Sequence, residues 1–263
     1  MFESNSFTPP YTASGRSTLV APPPWHYAGW LLNIAFSFEA ARGAGLVSPA
    51  IGSTIGRPTG QGCLHFADWQ ATTDGSELLD PVYSQYRETI LVLEIERPDG
   101  ALCGFCPAIW VDQDISLLRG LLQGLPKKIG STWLTRSLPI DHPAAAPLRA
   151  GTRLGASLAV KDRRLVEADA RLTGEAGRPL GFLAMPLVGV AGLPDLREPA
   201  RPPELHLLRA DIVQPTASGW HAATASLRVF DHPREELSLL GDLQPGEASA
   251  GWLGLTIAGA LDA

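Results

Sequence analysis

Two of the three lysines in this 263-residue chain stand side by side, in Gly124-Leu125-Pro126-Lys127-Lys128-Ile129-Gly130; every other basic residue except Lys161 is an arginine. A chain that writes arginine wherever a positive charge suffices, and a lysine pair here, points to a need for an amine. A neutral lysine amine attacks a carbonyl carbon to form an imine, which a guanidinium does not do under these conditions. A free lysine is protonated at neutral pH, and both desolvation and a neighbouring cation favour its neutral form. Lys127 has Leu125, Pro126, Ile129 and Trp133 nearby, with Lys128 as the neighbour expected to tune its pKa. A lysine pair on a solvated loop is the plain alternative, and the motif alone does not decide between them.

Other chemistry finds less support. Cys103-Gly104-Phe105-Cys106 is a C-x-x-C pattern. It falls within a strand-like run, where side chains three apart point to opposite faces, so core packing is expected rather than redox or zinc chemistry. The six histidines form no H-E-x-x-H or helical i, i+4 pair, so no metal is expected. There is no G-x-S-x-G elbow, no phosphate-binding G-x-x-x-x-G-K-(S/T) loop and no dinucleotide fingerprint, and no cofactor is expected.

The elements that must position Lys127 can be read around it. Tyr86 to Glu96 and Ala101 to Val111 read as a hairpin about the turn Pro98-Asp99-Gly100. Leu117, Leu118, Leu121 and Leu122 give helical spacing to Asp114–Gln123, which Gly124 and Pro126 end. Upstream, a strand is expected over Trp25–Phe38, a short helix over 39–46 and a strand over Cys63–Ala71. After Arg136, short apolar runs predict strands at Leu154–Val160, Arg164–Leu172, Leu180–Val190, Glu204–Val213, His221–Val229 and Trp252–Leu261. The spacing suits an antiparallel sheet or barrel. Residues 1–24, rich in Ser, Thr and Pro, are expected to form an extended arm, and 25–263 a single domain. Pro139–Pro147 is the best candidate linker within it.

At this point the chain resembles the acetoacetate decarboxylase-like superfamily, whose namesake is the standard case of a lysine activated in this way. Pro126-Lys127-Lys128-Ile129-Gly130 matches the family's P-K-K-(L/I)-G, Tyr86-Arg87-Glu88 precedes it where the family places an active-site glutamate, and Val229-Phe230-Asp231-His232-Pro233 matches a late F-D-H signature. The resemblance runs from about Trp25 to the C-terminus. It implies a mostly β (α+β) fold, a cone-shaped antiparallel β-barrel with a few short helices, and a homo-oligomer. Lys127 is then the imine former and Glu88 the general acid/base. The true decarboxylases carry an arginine after an early His-containing strand; here the stretch is His26-Tyr27-Ala28-Gly29-Trp30. Their second acidic residue has only Asp68 as a counterpart, in an open register. The pattern Arg119-Gly120-x-x-Gln123-Gly124-x-Pro126-Lys127-Lys128 is similar instead to the branch that condenses pyruvate-like 2-oxo acids with aldehydes and dehydrates the product. On a helix Arg119 and Gln123 share a face. They and Tyr86 are the expected substrate-binding residues, with Arg119 on a carboxylate.

The expected activity is therefore a cofactor-independent lyase making or breaking carbon–carbon bonds through a Lys127 imine, by aldol condensation and dehydration or its reverse. A β-keto acid decarboxylase and a non-catalytic small-molecule-binding barrel are the alternatives. A keto acid and an aldehyde co-substrate are the expected partners. The net charge of −6 argues against nucleic acid, and no apolar run is long enough for a transmembrane helix. A polar N-terminus and three cysteines predict a cytoplasmic protein.

Overall fold

The computed structural model describes residues 6–263. Of the expected arm, residues 1–5 lie outside the described residues, and 6–24 are irregular, without helix or strand. This segment closes on itself: the Val20 backbone N–H donates to Thr8 Oγ1 (2.8 Å), and the Thr8 and Thr18 hydroxyls lie 3.0 Å apart.

The fold is mostly strand. In order come β1 (Trp25–Ser37), the one-turn α1 (Ala40–Gly43), α2 (Pro49–Ile55), β2 (Arg57–Thr72), β3 (Gln85–Glu96), β4 (Leu102–Val111), α3 (Asp114–Leu122), β5 (Lys127–Ile129), β6 (Ser131–Leu134), β7 (Arg153–Val160), β8 (Arg163–Ala176), β9 (Leu187–Ala191), β10 (His206–Val229) and β11 (Gln244–Asp262). The sheet runs β11-β1-β2-β3-β4-β9-β10-β8-β7-β6, and β10 also pairs with β11. That last pairing closes β11 through β10 into a barrel, from which β8, β7 and β6 continue. Pairing is antiparallel except where β4 meets β5 and β9. Among the described residues no helix is long and apolar enough to cross a membrane.

Strands β1–β4 are buried on both faces, which is why they read as nearly continuous apolar runs. Leu32, Ile34, Phe36, Leu64, Phe66, Leu91, Leu93 and Trp110 point into the main core. The alternate residues Leu31, Ala67, Trp69, Tyr86, Val111, Ile90, Val92 and Ile109 form smaller clusters on the opposite face. Cys103 belongs to the first set and Cys106 to the second, so the C-x-x-C pair is split across the sheet. Burial pushes the Cys63 and Cys106 thiols up.

Several expectations are corrected. The run 180–190 is a strand only over β9; Gly181–Leu183 is a 3-10 turn. The expected strands at 204–213 and 221–229 are one long strand, β10. Helix α2, capped by Ser48 with Pro49 in its first turn, was not anticipated. Pro139–Pro147 is not a linker, because β6 before it and β7 after it pair with each other.

Candidate active site

Lys127 owes its direction to register. β5 runs parallel to β4 with Ile109 opposite Lys127 and Trp110 opposite Lys128. Paired residues share a face, so Lys127 joins Ile109 on the inner face and Lys128 joins Trp110 on the other. The connection from α3 sets this register. Gly124 adopts φ +74°, and its carbonyl accepts from the Val190 N–H at 2.7 Å. A Cβ at Gly124 would lie 2.7 Å from backbone atoms of Val190 and Ala191, so the turn also needs the space a glycine leaves.

On the inner face Lys127 Nζ donates to Glu88 Oε2 (2.8 Å) and to Ser116 Oγ (2.9 Å). The two charged side chains are only 8% and 6% exposed. Glu88 comes from β3, where Tyr86, Glu88 and Ile90 alternate onto this face. Its other oxygen accepts from Trp69 Nε1 at 2.7 Å, which fixes the carboxylate. Lys127 Nζ stands 5.6 Å from the Tyr86 ring centre. Lys127, Glu88, Tyr86 and Gln123 all line one cavity of about 300 Å³, together with Tyr27, Trp69 and apolar walls including Phe182, Met185, Leu187, Leu208 and Ile257. Burial, with the Glu88 charge second, holds the Tyr86 phenol well above its ordinary range. Burial also pushes Tyr27 up to about 12, with Arg119 pulling the other way. Both phenols are therefore neutral donors at neutral pH.

Arg119 and Gln123 do share one face of α3, and the Gln123 amide donates to the Arg119 carbonyl at 2.8 Å. Arg119 is buried one layer behind the cavity wall, its guanidinium carbon 6.0 Å from the Tyr27 ring and 5.4 Å from that of Trp25. Its Nη2 donates to Thr73 Oγ1 (3.2 Å) and stands 3.8 Å from Glu77, while its buried Nε has no partner.

Lys128 is not beside the Lys127 amine, as expected of a tuning neighbour. It is half exposed, and Glu235 Oε2 accepts from its Nζ (2.8 Å) and from Trp110 Nε1 (3.1 Å). The F-D-H segment supports that contact: His232 donates from Nε2 to the Val160 carbonyl (3.2 Å) and accepts from the Arg234 N–H, which places Glu235. Asp68 pairs with Arg136, and it is Trp69, the next residue, that faces the cavity. Ser116, Trp69 and Tyr27 were missed in the sequence. Ser116 was within reach, because 116, 119, 120 and 123 make one helical face.

The model of the acetoacetate decarboxylase family matches residues 8–260. No curated protein matches the chain. Among solved structures, the enduracididine biosynthesis enzyme MppR, complexed with the condensation product of pyruvate and imidazole 4-carboxaldehyde, is 26% identical with a TM-score of 0.88, over 100% of this chain and 97% of that one. Its complex with pyruvate is also 26% identical with a TM-score of 0.88, over 99% and 98% of the two chains. An acetoacetate decarboxylase-like enzyme from Sphingomonas wittichii RW1 (23%, TM-score 0.86, 98% and 99% covered) shares the fold. The acetoacetate decarboxylase of Legionella pneumophila (15%, TM-score 0.69, 92% and 88% covered) shares it more loosely. Fold, cavity and family match agree, and this chain belongs to the acetoacetate decarboxylase family.

Proposed function

We propose that the chain is an imine-forming lyase that condenses a 2-oxo acid of the pyruvate type with an aldehyde and dehydrates the product. The observation that carries this reading is a buried lysine amine held between Glu88 and Ser116 in the wall of a largely apolar cavity. The 26% identical MppR, solved with pyruvate and with a pyruvate–aldehyde condensation product, supports the choice of substrates.

In this reading Lys127 Nζ bonds to the keto carbon, the carbonyl electron pair moves to oxygen, and protonation and loss of water leave a protonated imine. Glu88 removes a proton from the adjacent carbon, and the electron pair moves into the imine to give an enamine. The enamine carbon bonds to the aldehyde carbon, whose oxygen takes a proton. Glu88 removes a second proton from the same carbon, the hydroxyl takes a proton and leaves as water, and hydrolysis of the imine releases a 2-oxo-3-enoic acid and free Lys127. Arg119, one layer behind the wall beside Tyr27, supplies positive potential that favours the carboxylate, and Gln123 and Tyr86 donate to the substrate from the cavity wall. Retaining the carboxylate is what separates this course from decarboxylation.

Borohydride reduction in the presence of pyruvate, followed by peptide mapping, should place one adduct on Lys127, and pyruvate with an aldehyde should give the unsaturated product without carbon dioxide. Rapid carbon dioxide release from acetoacetate would replace this reading with a decarboxylase. Failure to trap an adduct with any keto acid would leave only a binding barrel.

A further inference from the structure

We infer that Ser116 and Gly120 are positioning residues for the Lys127 amine, setting where its lone pair points; this rests on the imine reading above. They stand one turn apart on the inner face of α3, and they act on different parts of the same side chain.

Ser116 acts on the nitrogen. Nζ has two hydrogen-bond acceptors, Glu88 Oε2 at 2.8 Å and Ser116 Oγ at 2.9 Å. A neutral amine carries two N–H bonds and one lone pair. In this reactive form Cε and the two N–H bonds to Glu88 and Ser116 take three tetrahedral directions and leave the fourth to the lone pair, which on this inference points to the cavity that Lys127 lines. Removing either acceptor frees the amine to rotate about Cδ–Cε and turn the lone pair away. Ser116 is itself confined: it is 2% exposed and lies beside the Tyr86 phenol.

Gly120 acts on the stem. A Cβ there would stand 2.4, 2.5 and 2.8 Å from Cγ, Cδ and Cε of Lys127. Gly120 is an ordinary helical residue, absent from the positive-φ positions, so backbone conformation does not demand a glycine. In a helix a glycine costs about 0.5–1 kcal/mol relative to alanine. What it provides here is a bare strip of helix along which the lysine methylenes lie, leaving Nζ at the height of Ser116.

The test uses the full-length chain, with pyruvate as the probe and single-turnover borohydride trapping as the readout. Ser116→Ala should lower the maximal trapping rate about 10- to 100-fold with half-saturating pyruvate unchanged, and Ser116→Thr, which keeps the hydroxyl, should restore most of it. Gly120→Ala should lower it on the order of 100-fold by displacing the stem, and it decides the matter if Ser116→Ala does not fold by circular dichroism. Trapping by folded Ser116→Ala or Gly120→Ala at the wild-type rate, or a loss that appears only in half-saturation, would overturn the inference while the imine reading stands. A wild-type chain that traps no keto acid overturns both.

Discussion

The Lys127–Glu88 pair is where catalytic need and folding stability oppose each other. Two charges with side chains 8% and 6% exposed are held together mainly by each other, Trp69 and Ser116. Breaking a buried pair strands the remaining charge at a cost of roughly 3–5 kcal/mol, whereas replacing both with apolar groups is often neutral or stabilising. Lys127→Met should therefore destabilise the chain by about that amount. The double variant Lys127→Met/Glu88→Leu should recover most of the loss, in a urea-denaturation cycle. Equal stability of Lys127→Met and wild type would mean the pair is not desolvated as described. Glu88→Gln keeps an acceptor for the amine and removes the base. It should lower kcat for condensation by about 10²- to 10⁴-fold with little effect on pyruvate binding.

At the scale of elements, the short link between α3 and β5 governs the site, because a shift of one residue in β5 would exchange Lys127 and Lys128 between faces. Gly124 is its fixed point. Gly124→Ala combines about 1–2 kcal/mol for a left-handed alanine with overlap at 2.7 Å against the backbone of Val190 and Ala191. A total near 3 kcal/mol should appear as a Tm drop of about 6–12 °C. A Tm within 2 °C or so of wild type would show that the turn tolerates a side chain. This link also marks the limit of what the sequence could convey. The β3–β4 hairpin and α3 were legible because a turn signal and leucines at helical spacing mark them locally. Lys127, Glu88 and Gln123 in one cavity followed from a family pattern, and the structure brings them together. The side to which Lys128 turns was not legible, since it depends on the pairing of β5 with β4, set by contacts between residues distant in the chain. For the same reason 180–190 misled: it is apolar enough for a strand, yet Phe182 is spent covering His65, with ring centres 4.5 Å apart.

That buried histidine bears on the whole molecule. His65 donates from Nδ1 to Asn33 Oδ1 (2.8 Å), its Nε2 has no partner, and burial lowers its pKa to about 3. The fold therefore holds His65 neutral, while the unfolded chain takes up a proton below its ordinary value near 6.5. Stability is undiminished above that value and falls as pH drops from 6.5 towards 3, by up to about 1.4 kcal/mol per pH unit. Urea unfolding at pH 4.5 should show a loss of roughly 2–3 kcal/mol from this group relative to pH 7, absent in His65→Gln. An equal acid loss in that variant would assign it to the carboxylates instead. The barrel has one more consequence, for how such a protein can diverge. The groups assigned to the imine chemistry, Tyr86, Glu88, Ser116, Arg119, Gln123 and Lys127, all fall within residues 86–127, whereas Phe182, Met185, Leu187, Leu208 and Ile257 come from the later strands and turns. Selection for a new co-substrate would then act on a different stretch of the gene from the one that preserves the reaction, so a lineage could change what it joins without relearning how to join it.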